Sequence, residues 1–407
     1  MLQAHRTKKV ELSRCNQLSA VSIIQTQIKE WLKISPRTSL SLGMNFATYQ
    51  EFECTETSSF RAGVIGLTTA LTLVTTYPQI ANRVQIIAKH IPGDHSPIEY
   101  ASPWAGANFS SIAPNNPAAL AYDRHTYSIL LDLARKKSEA TGIAITPACE
   151  YWSDTPDEAF QHKIHVWSEF VEGFRELAGD ELCGYKYGIG YTSVTINSPK
   201  YLSYLSDQVR SLGVTIQRFV LSSLNEGFTL YSARVIINCT GLSSRQLAHD
   251  PKVHPVRGQV VLVKNSHTHV TLALHKSDSL TYIIPRPGSG TVVLGGYYQP
   301  DVYDADTFAD QTQSILSRAN ALLPDLTHNK GVESFEVVRE SAGLRPARHG
   351  GARIAREEIV GDDTGTGDIK DEGKRWIVHN YGAAGAGYQA SYGMAKAAVQ
   401  LFPQGVL

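Results

Sequence analysis

At 407 residues the chain is long enough for two domains, each with its own core. Apolar side chains make up 42% and charged ones 19%, and 38 basic residues balance 38 acidic ones, so no global field favours nucleic acid or an anionic membrane. Five cysteines (Cys15, Cys54, Cys149, Cys183, Cys239) form no C-x-x-C pair, which argues against a disulfide framework or zinc site and fits a reducing compartment; no apolar run approaches the roughly 20 residues that span a bilayer, and the first residues lack a signal-like apolar core.

In chain order, residues 1–60 mix Ser, Thr, Lys and Glu around one amphipathic helix, Ala20 to Leu32. An apolar helix is expected from Gly63-Val64-Ile65-Gly66 to about Thr75, then a buried strand, Val84 to Ala88, as in the second half of a βαβ unit. Further on, a helix is expected at Lys200 to Leu212, a strand at Val214 to Phe219, a short strand at Thr229 to Tyr231 and a buried strand through Val235 to Asn238. Strand signals then dominate at Gln259 to Val263, Tyr282 to Pro285 and Thr291 to Leu294. A helix follows at about Phe308 to Leu323, Gly361 to Lys374 reads as an exposed loop, and a last helix runs from Tyr388 to Leu401.

Two segments near the end carry chemistry. Gly343-Leu344-Arg345-Pro346 offers a guanidinium that can clamp a carboxylate through two parallel charge-assisted bonds. His379-Asn380-Tyr381-Gly382, continuing through Gly385 and Gly387 to Gln389, offers a glycine-rich turn at a helix start, where backbone N–H groups can approach an anion or a cofactor ring. Together they suggest an enzyme that holds a small carboxylate against a bound cofactor.

A dinucleotide-binding turn needs G-x-G-x-x-G directly after a buried strand. Gly63 and Gly66 supply the second and third glycines, but Arg61 stands at the first, and Glu53 to Phe60 does not read as a hydrophobic strand. The acid expected after the next strand is missing as well, because Lys89 and His90 follow Ala88, which leaves backbone groups or His90 for an adenosine ribose. On one reading the parallel sheet lacks its central strand and cofactor binding is impaired; on the other, Arg61 pairs with the pyrophosphate and an upstream segment supplies the strand.

From Gly63 onward, about five-sixths of the chain, the sequence resembles the D-amino acid oxidases, including D-aspartate oxidase, of the FAD-dependent amine oxidoreductases, with fungal members nearest in wording. The matching segments are Gly63-Val64-Ile65-Gly66-Leu67, Ser102-Pro103-Trp104-Ala105-Gly106-Ala107-Asn108, Asn238-Cys239-Thr240-Gly241, Arg257-Gly258-Gln259, Tyr282-Ile283-Ile284-Pro285-Arg286-Pro287-Gly288, Leu294-Gly295-Gly296 and the two segments near the end.

The resemblance implies an α/β fold: a Rossmann-like FAD-binding domain (residues 59–109, 198–243 and 345–407) and a substrate domain with a mixed, largely antiparallel sheet (110–197 and 244–344), after a non-family extension, 1–58. It assigns Arg345 and Tyr282 to the substrate carboxylate and Gln389, with carbonyls near Gly385, to the amine. Gly63, Val64, Ile65, Gly66, Ala105, Gly106, Ala107, Asn108, Thr240, Gly241, Gly382, Gly385, Gly387, Tyr388 and Gln389 would contact FAD. N–H groups of Ala383 to Gly387 would meet negative charge on the reduced ring. The implied reaction moves a hydride from the Cα of a D-amino acid to flavin, gives a 2-oxo acid and ammonia after hydrolysis, and reduces O2 to hydrogen peroxide. No metal, nucleic acid or membrane partner is expected, and a homodimer is compatible with the sequence. The nearest candidates for a side-chain carboxylate are His275 and Lys276, and the segment after Gly295-Gly296 carries Tyr297 and Tyr298 and no arginine, so neutral D-amino acids are favoured over acidic ones. D-aspartate oxidase and a pseudoenzyme with impaired FAD binding stay as alternatives. Members are often peroxisomal; the residues Phe402 to Leu407 lack a Ser-Lys-Leu-type signal, so peroxisomal and cytoplasmic locations both stand.

Overall fold

The computed structural model describes residues 57–60, 62–94, 97–112, 115–359 and 374–406, so the Ala20 to Leu32 helix, Arg61 and the loop over 361–373 lie outside the described residues. One sheet is formed by β1 (Thr57–Phe60), β2 (Val84–Ala88), β6 (Thr215–Arg218), β7 (Val235–Asn238), β14 (Arg353–Ile359) and β15 (Arg375–Tyr381). The second holds β3 (Ile143–Trp152), β4 (Arg175–Glu176), β5 (Tyr187–Ile196), β8 (Val253–Lys264), β9 (Thr271–His275), β10 (Leu280–Arg286), β11 (Thr291–Gly295), β12 (Gln299–Pro300) and β13 (Val337–Arg348). The first sheet runs β14-β15-β7-β1-β2-β6, parallel except for β14 at the edge; the second is antiparallel except where β3 pairs with β9. This mixed α/β architecture agrees with the expected fold class.

The first sheet corrects one expectation. Thr57–Phe60 forms a strand and occupies the centre, with Thr57 in register with Val84 on one side and Val235 on the other. A strand flanked by two parallel neighbours is held through its backbone ladder, and four residues suffice for it; a search for a longer apolar run passes over it. From β1 the chain turns through Ala62 and Gly63 into helix Val64–Thr76. The buried hydroxyls of Thr68 and Thr69 donate to the carbonyls of Val64 and Ile65 at 2.7 and 2.6 Å, so burying them leaves no donor orphaned. Pro78 ends the helix, because a residue before proline is pushed out of the α region.

Helix Pro117–Thr141 begins on an Asn116 side chain that accepts the Ala119 N–H at 2.8 Å, and ends on Gly142 at φ 69°, a left-handed cap that glycine adopts without strain. The expected helices after Ser198 and Phe308 form as Ser198–Ser211 and Ala309–Leu322. The last helix, expected from Tyr388, starts at Ser391 and runs to Gln400, because a 3-10 turn over Ala384–Ala386 precedes it. A second correction concerns Thr229 to Tyr231: it is no strand, since Thr229 and Leu230 close the short helix Glu226–Leu230, which places Phe228 against Ile87, Ile236 and Ile377.

Alternation along β8, β10, β11 and β13 separates the second sheet into two faces. Residue pairs Tyr282–Gly295, Gly295–Val260, Val260–Ser341, Gly258–Gly343 and Val256–Arg345 share one face. Val261, Val263, Ile283, Val292 and Leu294 point the other way and pack on Ile315, Leu316 and Ala319 of helix Ala309–Leu322. Each such buried aliphatic side chain contributes about 1.5–3 kcal/mol, so the helix-covered face fixes the sheet and leaves the first face for other work.

Candidate active site

The open face of the second sheet has a floor of glycines. A Cβ at Gly258 would run into the Arg345 guanidinium, and one at Gly295 or Gly296 would run into the Tyr282 ring. Only glycine lets those two side chains lie down on the backbone. Both side chains rise from the same face, as the register dictates. Arg345 Nη1 donates to the Tyr297 carbonyl at 3.2 Å, next to Gly296 beneath the Tyr282 hydroxyl. That is the one hydrogen bond of Arg345 among the described residues, although a guanidinium carries five N–H donors. Its remaining donors are available to a ligand. Gly385 approaches from above, its would-be Cβ lying 3.9 Å from Arg345 Cδ and 3.6 Å from Ile112 Cδ1.

On the same face, the segment Ser102 to Asn108 meets the sheet. Gly343 would bring a Cβ to 3.3 Å of Trp104 Cβ, Arg339 Cζ lies 4.7 Å from the Trp104 ring centre, and Arg286 Nη2 donates to the Ala105 carbonyl at 3.3 Å. Arg286 Nε and Arg339 Nε are buried without a hydrogen-bond partner among the described residues. Burial, with the charge of Arg339 next in weight, lowers the Arg286 guanidinium to about 10. Buried Arg286 and half-buried Arg339, with no carboxylate partner among the described residues, make this wall electropositive.

The cofactor side is built from three segments in mutual contact. The Val64 N–H donates to Ser102 Oγ at 3.0 Å, Tyr388 Oη donates to the Ser102 carbonyl at 2.9 Å, and a Cβ on Gly387 would touch Val64 Cγ1 at 3.8 Å. Helix Val64–Thr76 thus presents its first turn, including the N–H groups of Ile65 and Gly66, at the carboxyl end of β1. There β2 lies on one side and β7 on the other, the crevice in which open parallel sheets take nucleotides. Asn238 ends β7, its Oδ1 accepting the Thr240 N–H at 3.0 Å, and Gly241 follows at φ 55°. Asn380 Nδ2 donates to Thr69 Oγ1 at 3.0 Å, His379 Nδ1 lies 3.1 Å from Asn238 Nδ2, and Tyr381 Oη donates to Asp250 at 2.9 Å. The His379 to Tyr381 segment therefore ties β15 to β7 and to the helix behind the crevice. Gly382 turns away at φ 90°.

Next to Gly385 runs the strap Ser110-Ser111-Ile112, clamped by buried charge. Glu150 accepts from the Ser111 N–H at 2.9 Å, Ser111 Oγ at 2.7 Å and Tyr191 Oη at 2.6 Å, and pairs with His275 Nε2 at 2.9 Å. Burial raises its carboxyl, but the His275 bond and charge and the hydroxyl donors outweigh it and hold the group at about 2. Lys163 Nζ donates to the Ser111 carbonyl at 2.5 Å.

Gln389, expected to orient the amine, is placed elsewhere. It is 1% exposed, its amide donating to Asp123 Oδ2 at 2.7 Å and to the Ser110 carbonyl at 3.1 Å, while Oε1 accepts the Ser110 N–H at 3.3 Å. The Asp123 carboxyl is pushed up to about 8 by burial, and its Oδ1 has no hydrogen-bond partner among the described residues. Gln389 thus braces the strap instead of facing a ligand. His275, considered for an acidic substrate, is occupied by Glu150 and stacked on Trp152 at 4.5 Å. Asn108 makes a bridge with Thr195 and leaves its side chain half-exposed. The carbonyls of Ala105 and Ala107 accept from Ser198 Oγ at 2.8 Å and the Ile196 N–H at 2.9 Å, so these residues and Gly106 are pinned at the rim. His90 lies 3.1 Å from Glu99 and 3.7 Å from Asp94, acids near the end of β2 that are themselves paired with Lys89 and Arg218. Ser102, Gly258, Arg286 and Arg339 were given no role from sequence; Ser102, Gly258 and Arg286 lie inside matched motifs, and only the fold shows what they touch.

The geometry suits FAD on two counts that belong to this chain. The 63–66, 102–106 and 387–388 segments meet through small residues at the crevice, and the adjoining wall is cationic, as an anionic dinucleotide requires. A family model described as DAO, FAD dependent oxidoreductase, matches residues 62–401. A D-amino-acid oxidase of Schizosaccharomyces pombe is 41% identical over 344 residues, covering 84% of this chain and 94% of the relative. A D-aspartate oxidase of Talaromyces thermophilus is 30% identical over 366 residues, covering 84% and 93%. The structure of glycine oxidase from Geobacillus kaustophilus superposes with a TM-score of 0.61 at 19% identity, covering 85% of this chain and 94% of that one, a likeness of fold.

Proposed function

The chain belongs to the DAO family of FAD-dependent oxidoreductases, and we propose that it oxidises D-amino acids, neutral ones preferentially, to 2-oxo acids with release of ammonia and hydrogen peroxide. The observation that carries this reading is the pairing of Arg345, with most of its donors unused, and Tyr282 on one glycine floor beside the cofactor crevice.

Arg345 takes the substrate carboxylate by two parallel N–H bonds, and the Tyr282 hydroxyl donates a third. With the carboxylate fixed and the strap and Gly385 closing the other side, only one enantiomer turns its Cα–H toward the ring. Bound FAD would supply the two-electron acceptor, with O2 as the final oxidant. No protein base is needed at Cα once the amine is neutral. The N–H groups of the 383–387 turn and the cationic wall of Arg286 and Arg339 stabilise negative charge nearby. On this proposal the chain divides into an FAD-binding and a substrate domain, and a peroxisomal or cytoplasmic location suits a peroxide-forming enzyme with free cysteines.

Neutral substrates are favoured because His275 is already paired with Glu150. A second reading, D-aspartate oxidation, rests on Arg339, a cation on the same face without a carboxylate partner. Purified FAD-loaded protein decides between them: bleaching of the flavin and peroxide formation with D-alanine, and not with L-alanine, supports the first reading. A clear preference for D-aspartate supports the second, and no reduction by either sinks both.

A further inference from the structure

We propose that His267, Asp325 and His328 form a binding site for one first-row divalent metal ion of the zinc class, separate from the Arg345 site. One ligand atom from each of the three lies within 4.8 Å of the other two. The imidazoles stack with centroids 4.4 Å apart and planes 26° apart, and the Asp325 carboxylate is 3.8 Å from His267 Nε2. Two imidazoles and one carboxylate are the donors that Zn2+ and its neighbours take; Mg2+ and Ca2+ demand mostly oxygen.

The donors sit on a framework that is already fixed. His267 lies in the connection between β8 and β9, where Asn265 Oδ1 accepts the N–H groups of His267 and Thr268 at 3.1 and 2.9 Å. The Asn265 amide also donates to the Leu326 carbonyl at 3.3 Å, which joins this connection to the turn Pro324–Thr327. That turn is tied to the preceding helix by Thr327 Oγ1 on Asn320 at 2.8 Å, and His328 closes it at φ 50° with its N–H on the Asp325 carbonyl at 2.9 Å. Two elements distant in sequence thus bring three donors within 4.8 Å of one another.

An ion about 2.0–2.2 Å from each donor would bring tetrahedral ligands to roughly 3.5 Å apart. The side chains of His267 and Asp325 are 33% and 65% exposed, so they can rotate the remaining distance and admit an ion from solvent. The Asp325 carbonyl, 3.0 Å from His267 Nε2, offers an oxygen at the same spot. A second stacked pair, His254 and His349 at 4.0 Å, has no third donor; among the described residues only the 267/325/328 group has three. The site follows the far end of β8, whose residue Val256 pairs with Arg345. Eight residues of strand from Val256 to Lys264 span about 27 Å. A bound ion would clip the β8–β9 connection to the turn after helix Ala309–Leu322.

The test uses tag-free, FAD-loaded full-length protein stripped with chelator, titrated with Zn2+ by calorimetry and with Co2+ by absorption. Expected are one saturating equivalent, a raised Tm with Zn2+, and a Co2+ spectrum without thiolate charge-transfer bands. His267→Ala/His328→Ala should fold with the metal-free wild-type Tm and bind Zn2+ at least tenfold more weakly, with Asp325→Asn in between. Absence of a saturable single site, thiolate bands in the Co2+ spectrum, or equal affinity in the double variant overturns the proposal.

Discussion

Arg257 and Arg345 stand one pair apart on the β8–β13 ladder, and the two faces of the sheet treat them in opposite ways. On the helix-covered face, Arg257 is fully buried and uses every N–H. Nε donates to the Asp304 carbonyl at 3.0 Å, Nη1 to Gln299 and Gln311 at 2.6 and 3.0 Å, and Nη2 to Gln259 at 3.2 Å and to the Asp306 carbonyl. On the open face, Arg345 has one hydrogen-bond partner among the described residues. A guanidinium whose donors are all satisfied by its own chain is a structural bolt. One held in place by a glycine floor with donors to spare is a receptor for something else.

That contrast breaks if the two arginines fail alike. Arg345→Ala should lower kcat/KM for D-alanine by about 3–5 kcal/mol, the cost of leaving a desolvated charge partner unpaired, while Tm barely moves. Arg257→Ala should do the reverse: several buried acceptors lose their donor at about 1–3 kcal/mol each, so Tm falls while the folded fraction keeps its kcat/KM. Thermal melts and steady-state kinetics on the same preparations separate the two patterns. Equal loss of activity without loss of stability at Arg257 would contradict the division.

Smaller substitutions sharpen it. Tyr282→Phe keeps the ring on Gly295 and Gly296 and removes only a hydroxyl bond to a charged ligand, so KM should rise by about 1.5–3 kcal/mol equivalent with the fold unaffected. Gly258→Ala adds one methyl beneath the Arg345 guanidinium, an overpacking of about 1–3 kcal/mol that should appear in kcat/KM because the guanidinium is what must move. A Gly258→Ala enzyme with wild-type kinetics would show that the floor does not position Arg345.

The mildest test concerns the strap. Asp123 is held up to about 8 against an ordinary 3.8, so the folded chain keeps a proton that the unfolded chain has released. The associated stability is complete below about pH 4 and is lost as pH rises toward about 8, by at most about 1.4 kcal/mol per pH unit. Asp123→Asn removes the titration. Its Tm should vary less than that of wild type between about pH 5 and 8, and parallel profiles would place the proton elsewhere.

Arg345 stood out in the sequence because a Gly-Leu-Arg-Pro run carries a local signal, whereas Tyr282, in the strand Leu280–Arg286, was singled out only by the family resemblance. The strand Thr57–Phe60 was not, because its place in the sheet is set by its neighbours' backbones and not by an apolar run of its own. Gln389 looks the same in sequence whether its amide faces a ligand or the interior; only Ser110 and Asp123, 279 and 266 residues away, decide that it faces inward. The Glu150–His275 pair, 125 residues apart, is of the same kind. Local chemistry can be read along the chain, whereas roles fixed by distant partners need the fold.

The central claim, a carboxylate gripped by Arg345 and Tyr282 against FAD, is tested most directly by titrating FAD-loaded protein with a simple unreactive carboxylate such as benzoate and following the flavin absorption. Wild type should give a saturable shift, and Arg345→Ala, with its flavin retained, should need at least about a hundredfold more ligand. The same dissociation constant in both proteins would contradict the account.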